Sequence, residues 1–151
     1  MQIKDFLALS QVMTDVRASD KVRLLNDLAH LAAAELHLSP EVISSALLRR
    51  EELGSTGTGG GVAIPHARLS GVSTPFGVLA CLSKAIKFDA IDGKSVDIVF
   101  LLLLPWNLQH GQLNTLACAA RVLRNAEVLQ TLRRADGRAQ AYRALFPEGE
   151  N

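Results

Sequence analysis

Apolar residues recur along the chain first with a helical period and then with a strand period. Ser19-Asp20 offers an N-cap, and Val22, Leu24, Leu25, Leu28, Leu31, Ala32, Leu36 and Leu38 follow at helical spacing. Ser39-Pro40-Glu41 starts a second helix with a capping serine, a proline in the first turn and an acid near the positive end of the dipole. Val42, Ile43, Ala46, Leu47 and Leu48 are its apolar positions. It ends through Arg49-Arg50-Glu51-Glu52-Leu53, where Gly54 is a natural cap. From there the period changes. Val62-Ala63-Ile64 reads as a short strand, Phe76 to Leu82 as a second, and Ile86-Lys87-Phe88 as a short edge strand before the turn signal Asp92-Gly93. Val96 to Leu104 is a near-continuous apolar run closed by Pro105, as expected of a central strand covered on both faces. Trp106 to Gly111 reads as a loop. The helical period returns from about Gln112, with Leu113, Leu116, Ala117, Ala120, Val122 and Leu123 as its apolar positions. Two shorter helices are expected over Glu127 to Arg133 and Asp136 to Leu145, and Met1 to Arg17 is a lead-in holding one strand or helical turn.

Two helices, four strands and then helices again predict an α/β fold: a single domain over residues 1–151 with a mixed β-sheet sandwiched between α-helices. Some strand connections are too short for crossovers, so parallel and antiparallel pairs should be mixed.

The 151 residues are enough for one domain with a real core, and 48% hydrophobic with 21% charged residues is an ordinary globular balance. A formal net charge of +1 gives no basic field for nonspecific nucleic-acid binding. The arginines Arg121, Arg124, Arg133, Arg134, Arg138 and Arg143 interleave with acids and apolar residues and read as solvated helix faces. Cys81 and Cys118 sit in apolar contexts, as buried reduced thiols do. No signal-peptide core is present, and Val96 to Leu104 is far short of the ~20 residues of a membrane-spanning helix. The expectation is a soluble cytoplasmic protein.

The chemistry concentrates in one stretch. Gly54-Ser55-Thr56-Gly57-Thr58-Gly59-Gly60-Gly61 places five glycines within eight residues, followed by Val62-Ala63-Ile64-Pro65-His66. Glycines let backbone N–H groups turn toward an anion, and Pro65 cannot donate to a ladder, so His66 is expected at the strand's exit. No Gly-Lys-Ser/Thr closes the loop, so it is not a nucleotide P-loop. It follows a helix and leads into a strand, so it is not a dinucleotide fingerprint either. Two readings stay open: an anion-receptive loop serving phosphate chemistry at an imidazole, or a glycine-rich surface hairpin beside an incidental histidine. His30 and His37 are seven residues apart on one helix, too distant to chelate one ion. His66 and His110 show no ligand spacing, and no cofactor or metal is expected.

Leu48-Arg49-Arg50-Glu51, Gly54-Ser55-Thr56-Gly57 and Gly61-Val62-Ala63-Ile64-Pro65-His66 closely resemble the active-site signature of the fructose/mannitol-type enzyme IIA family of the bacterial phosphotransferase system. The likeness continues through Ile86 to Asp92, Val96 to Phe100 and Leu113 to Leu116, and so spans nearly the whole chain. As a free-standing unit with no fused IIB or membrane IIC portion, the chain looks most like the nitrogen-regulatory branch.

The resemblance implies a mixed sheet flanked by helices, with His66 accepting a phosphoryl group at Nε2 from a histidine-phosphorylated HPr-like carrier and Arg50 lying beside it. It also implies a phosphocarrier and regulator of nitrogen, carbon or potassium handling, in the transferase class without being a turnover enzyme. Protein targets unknown from the sequence would read its phosphorylation state. One departure stands out: where the family has a second histidine just before the leucine matching Leu113, this chain has Gln112.

A neutral imidazole at His66 would have its lone pair available at pH 7, with Nδ1–H donating to a carbonyl or carboxylate. Arg50 is suited to bind two phosphoryl oxygens, or else it merely offsets the helix dipole. Ser55 and Thr56 hydroxyls and the amides of Gly57 and Gly59 are further candidate donors. Gln112 can donate an amide N–H but can neither carry a charge nor shuttle a proton, or it simply solvates its helix. The alternative is a binding-only regulatory module in which phosphorylation is weak or lost. Trp106, Leu108 and Phe76 are candidate apolar residues for a docking face around His66.

Overall fold

A computed structural model describes residues 1–107 and 109–147, the side chains of residues 109–113 excepted. Two 3-10 turns, Ile3–Asp5 and Leu9–Gln11, lead into β1 (Val12–Val16). Helices α1 (Lys21–Leu36) and α2 (Pro40–Glu52) follow, then β2 (Gly57–Gly59), β3 (Val62–Ala63), β4 (His66–Leu69), β5 (Phe76–Ile86) and β6 (Val96–Pro105). Helices α3 (Gln109–Leu123), α4 (Ala126–Arg134) and α5 (Arg138–Ala144) close the described chain.

The caps sit where the sequence places them. Asp20 accepts from the Arg23 N–H at 2.8 Å, and Ser39 accepts from Val42 with Pro40 in the first turn.

The strands form one mixed sheet in the order β1-β5-β6-β3-β2, with β4 also paired to β6. β5 and β6 run antiparallel, whereas β1 joins β5, and β3 and β4 join β6, in parallel. β6 is central and all but one of its residues are buried, as its apolar run predicts. One face of the sheet, with Ala67, Val78, Ala80, Val99 and Leu101, packs under α1 and α2. The other, with Val62, Ile64, Leu79, Ile98, Phe100 and Leu102, packs under α3, α4 and α5. The helix-sheet-helix layering read from the sequence is therefore the observed one. Among the described residues no helix is long and apolar enough to cross a membrane.

Several boundaries differ from the sequence expectation. His66 to Leu69, read as part of a connection, is strand β4, because the ladder to β6 resumes directly after Pro65. Ile86 ends the long β5 opposite Val96 instead of opening a separate edge strand, and Phe88 folds into the core with no exposed surface. Helix α3 starts at Gln109, inside the segment read as a loop. Val42, assigned inward, is 57% exposed: it sits one position before the buried Ile43, and ~100° of helical rotation carries it off the core face.

Candidate functional site

Pro65 has no N–H, so the edge of β6 is paired in two pieces, by β3 before the proline and by β4 after it. The gap is bridged by Leu102 N–H donating to Pro65 O at 2.9 Å and Ile64 N–H donating to Thr56 O at 3.0 Å. This fixes the elbow from which His66 projects. Within β4, Ala67 and Leu69 are buried while His66 and Arg68 face outward together, as strand alternation requires.

The His66 ring turns back onto that elbow, with Nδ1 lying 3.0 Å from the Ile64 carbonyl oxygen. Nδ1 carrying the proton and donating it to this carbonyl leaves Nε2 with the lone pair. Burial pushes the imidazole below its ordinary 6.5. The bond to Ile64 pulls it back up, the charge of Arg50 lowers it, and Glu51 raises it. The net shift is downward, which favours the neutral ring at pH 7.

Helix α2 packs on β4, which brings its last turn to the histidine. Arg50 and His66 line one open groove of about 620 Å³ together with Ala46, Arg49, Leu53, Arg68 and Trp106. Arg50 donates from Nη1 to Gly54 O at 2.8 Å, a bond that holds the guanidinium at the helix end and closes α2. Arg68 was not singled out from the sequence. The sequence reads as a connection here, and only with β4 in place does a residue two positions along the strand from His66 lie on the same side.

The other sequence candidates have structural partners. The Ser55 hydroxyl donates to Phe88 O at 2.7 Å and accepts from Gly57 N–H at 3.0 Å. The Thr56 hydroxyl donates to a Glu51 carboxylate oxygen, and Glu51 also accepts from Thr56 N–H at 3.1 Å. The carboxylate is completed by Lys21 Nζ at 2.9 Å, an ion pair whose side chains are 16% and 5% exposed. Lys21 further donates to Phe88 O at 3.3 Å and lies 4.6 Å from the Phe88 ring centroid. Neither hydroxyl donor is free for a ligand. The pair of residues instead ties the loop to α1, α2 and the β5–β6 connection. Nothing in the sequence marked Glu51 as the hub, since its partners lie on separate segments.

The glycine run is the β2–β3 hairpin. Gly57 is there for packing: an added Cβ would meet Ala90 Cβ at 2.7 Å. Gly59 and Gly60 turn the chain at φ +101° and +69°, and Gly60 N–H donates to Asp92 Oδ2 at 3.0 Å. The anion that this loop holds is therefore the protein's own carboxylate. Gly57, Gly59, Ser55 and Thr56 are not among the residues that line the His66 groove.

Gln112 belongs to α3, but its side chain, like that of His110, lies outside the described residues, as does Leu108 altogether. Phe76 packs against the core under α1 and α2 and is absent from the groove lining, whereas Trp106 is in it. Cys81 and Cys118 are buried free thiols, and burial pushes Cys81 up to about 12. Among the described residues no group of three histidine, cysteine or acidic side chains is placed to hold a metal ion.

Residues 5–146 match the family described as "Phosphoenolpyruvate-dependent sugar phosphotransferase system, EIIA 2". The chain is 35% identical over 152 aligned positions to a nitrogen regulatory protein of Klebsiella oxytoca, covering 100% of this chain and 94% of that one. A crystal structure of nitrogen regulatory protein IIA-Ntr from Neisseria meningitidis superposes with a TM-score of 0.89 at 34% identity, covering 95% of this chain and 98% of the other. Mannitol IIA from Escherichia coli shares the fold at a TM-score of 0.76 and 18% identity, covering 92% of this chain and 98% of the other.

Proposed function

The chain belongs to the EIIA 2 family of the phosphoenolpyruvate-dependent sugar phosphotransferase system, and from that premise we propose that it accepts a phosphoryl group on Nε2 of His66 from a histidine-phosphorylated carrier protein. Its phosphorylation state is then read by regulatory targets. Single-residue burial and charge support the acceptor role, but the observation that carries it is the 3.0 Å contact between His66 Nδ1 and the Ile64 carbonyl.

That contact bears on each step. The lone pair of Nε2 forms the new N–P bond while the N–P bond of the donor breaks, and the leaving imidazole takes the electron pair. The accepting ring gains positive charge as Nε2 gives up its lone pair. The carbonyl beyond Nδ1–H stabilises that charge without moving a proton. Arg50, on the rim of the same groove, supplies a fixed cation for the phosphoryl oxygens, and its planar fork can bind two of them. Such positioning and charge stabilisation are most of what phosphoryl transfer needs from a protein.

Intact mass after incubation with phosphorylated carrier tests the reading. One acid-labile phosphoryl group is expected on the wild-type chain and none on His66→Ala. Full labelling of the variant would move the acceptor elsewhere.

A further inference from the structure

Arg50 and Glu51 are neighbours on the last turn of α2, and ~100° of helical rotation sends them to different places. Arg50 lines the open groove of His66, with Arg49, Glu52 and Arg68. Glu51 is not among the lining residues, and its side chain is 5% exposed. It is nevertheless linked to the histidine by a series of hydrogen bonds. Thr56 N–H donates to Glu51 Oε1 at 3.1 Å, Ile64 N–H donates to Thr56 O at 3.0 Å, and Ile64 O lies 3.0 Å from His66 Nδ1. The Thr56 hydroxyl also donates to Glu51, so Thr56 is held at two points. The carbonyl that fixes the imidazole thus belongs to a backbone bound at its other end to a buried carboxylate. A buried ion pair is seldom worth more to stability than apolar side chains of the same size, so stability alone is a weak reason for placing one here.

We propose that Glu51 is a positioning residue for phosphoryl transfer: through Thr56 and Ile64 it holds the acceptor of the His66 Nδ1–H in place, and its charge, moderated by Lys21, stabilises the positive charge that the ring gains as Nε2 takes the phosphoryl group. This rests on the phosphoryl-acceptor reading of His66 and adds the residue that prepares the ring. Arg49, Arg50, Glu52 and Arg68 act from the groove side, where water screens them. Glu51 acts from the protein side, where a charge is felt more strongly. Arg50 lowers the proton affinity of His66 and Glu51 raises it. Lys21 Nζ, 2.9 Å from Glu51 Oε1 on a side chain 16% exposed, offsets part of the carboxylate's charge. Removing one member of that ion pair or the other therefore moves His66 in opposite directions, which a loss of packing would not do.

Glu51→Gln and Lys21→Met separate this role from a structural one. Glu51→Gln keeps an acceptor for the Thr56 N–H but loses the charge. The titration midpoint of His66, read from its Cε1–H shift, is expected to fall in Glu51→Gln and to rise in Lys21→Met. The rate of transfer is read with phosphoramidate: its N–P bond breaks, ammonia leaves with the electron pair, and Nε2 forms the new N–P bond while Nδ1 keeps its proton. At about pH 8, above the ordinary histidine value, this rate reports stabilisation of the ring and not its protonation. It is expected to drop on the order of tenfold in Glu51→Gln and to hold or increase in Lys21→Met. Midpoints that move the same way, or an equal loss of rate in both variants, overturn the inference. Should Glu51→Gln fail to fold, Lys21→Met decides alone, since a midpoint that stays or falls overturns it. A wild-type chain that takes no phosphoryl group from phosphoramidate or from phosphorylated carrier overturns the acceptor reading, and this role with it. A labelled wild-type chain whose two variants titrate and react as it does overturns the role of Glu51 alone.

Discussion

Gly60 donates its backbone N–H to the carboxylate of Asp92 across 3.0 Å, and Asp92 also accepts from Lys94 N–H at 3.1 Å. The tip of the β2–β3 hairpin is thereby pinned to the β5–β6 connection by a side chain it wraps. These backbone donors hold the Asp92 carboxyl below its ordinary value. Asp92→Ala is expected to leave the fold intact while the amides of Gly60 and Lys94 exchange with solvent faster. Hydrogen exchange followed by NMR reads this directly. Unchanged protection at both amides would show that the hairpin holds its turn without the carboxylate.

His66 should titrate below 6.5 in the folded chain, chiefly because burial disfavours the charged ring. The sign for stability follows. The unfolded ring binds its proton near 6.5 and the folded ring binds it only at lower pH. This group's contribution is therefore present in full above 6.5 and is lost as pH falls through the folded value. Arg50→Ala removes a cation that opposes protonation, so the His66 midpoint should rise, as read from its Cε1–H shift. Transfer should slow, while the lost bond from Arg50 to the Gly54 carbonyl costs about 1 kcal/mol or less at this exposed position. A lower midpoint in the variant would contradict the placement of that charge.

Loss of Glu51 should damage the fold. Its carboxylate side chain is 5% exposed and holds Lys21 together with the N–H and hydroxyl of Thr56. Glu51→Ala leaves a half-buried ammonium and two polar groups without their acceptor. The expected cost is about 3 kcal/mol, the lower end for breaking a buried pair by removing one partner. Lys21→Met should cost less, because the Thr56 donors still satisfy the carboxylate. Urea unfolding of both variants measures the difference, and equal midpoints would show that the ion pair, not the loop anchoring, carries the effect.

The elements with strong local signals were legible in the sequence. Ser39-Pro40 caps α2, the apolar run of β6 is central, and Pro65 interrupts the sheet edge just before His66. What sequence reasoning missed depends on contacts between distant segments. Glycines at Gly57 and Gly60 fit an anion loop and a packed hairpin equally well. Only the fold shows that Ala90 packs against Gly57 and that Asp92 accepts from the Gly60 N–H. In the same way, Ser55 and Thr56 look like free hydroxyls until Phe88 and Glu51 are brought beside them. Arg68 was hidden by a boundary: once β4 begins at His66, alternation places both on one side.

Phosphorylation of His66 should change the charge of this surface far more than its shape. A phosphoryl group brings roughly two negative charges, by analogy with other phosphorylated side chains. They would arrive in the groove that Arg50 on α2 and Arg68 on β4 also line, so cations are already there to meet them. The backbone under His66 is also held on both sides. Leu102 N–H bonds Pro65 O at 2.9 Å, and β4 stays in register with Leu102 to Pro105. A partner seated on Trp106 and Leu53 would then meet a new negative charge at the centre of its contact, enough to reverse its preference without refolding either protein. Amide spectra of the free and phosphorylated forms should therefore differ at His66, Arg50, Gly54, Arg68 and Trp106, and hardly at all in β1 or α1. Shifts running through those distant elements would require two packings of the sheet and its helices, and the signal would then be a change of shape.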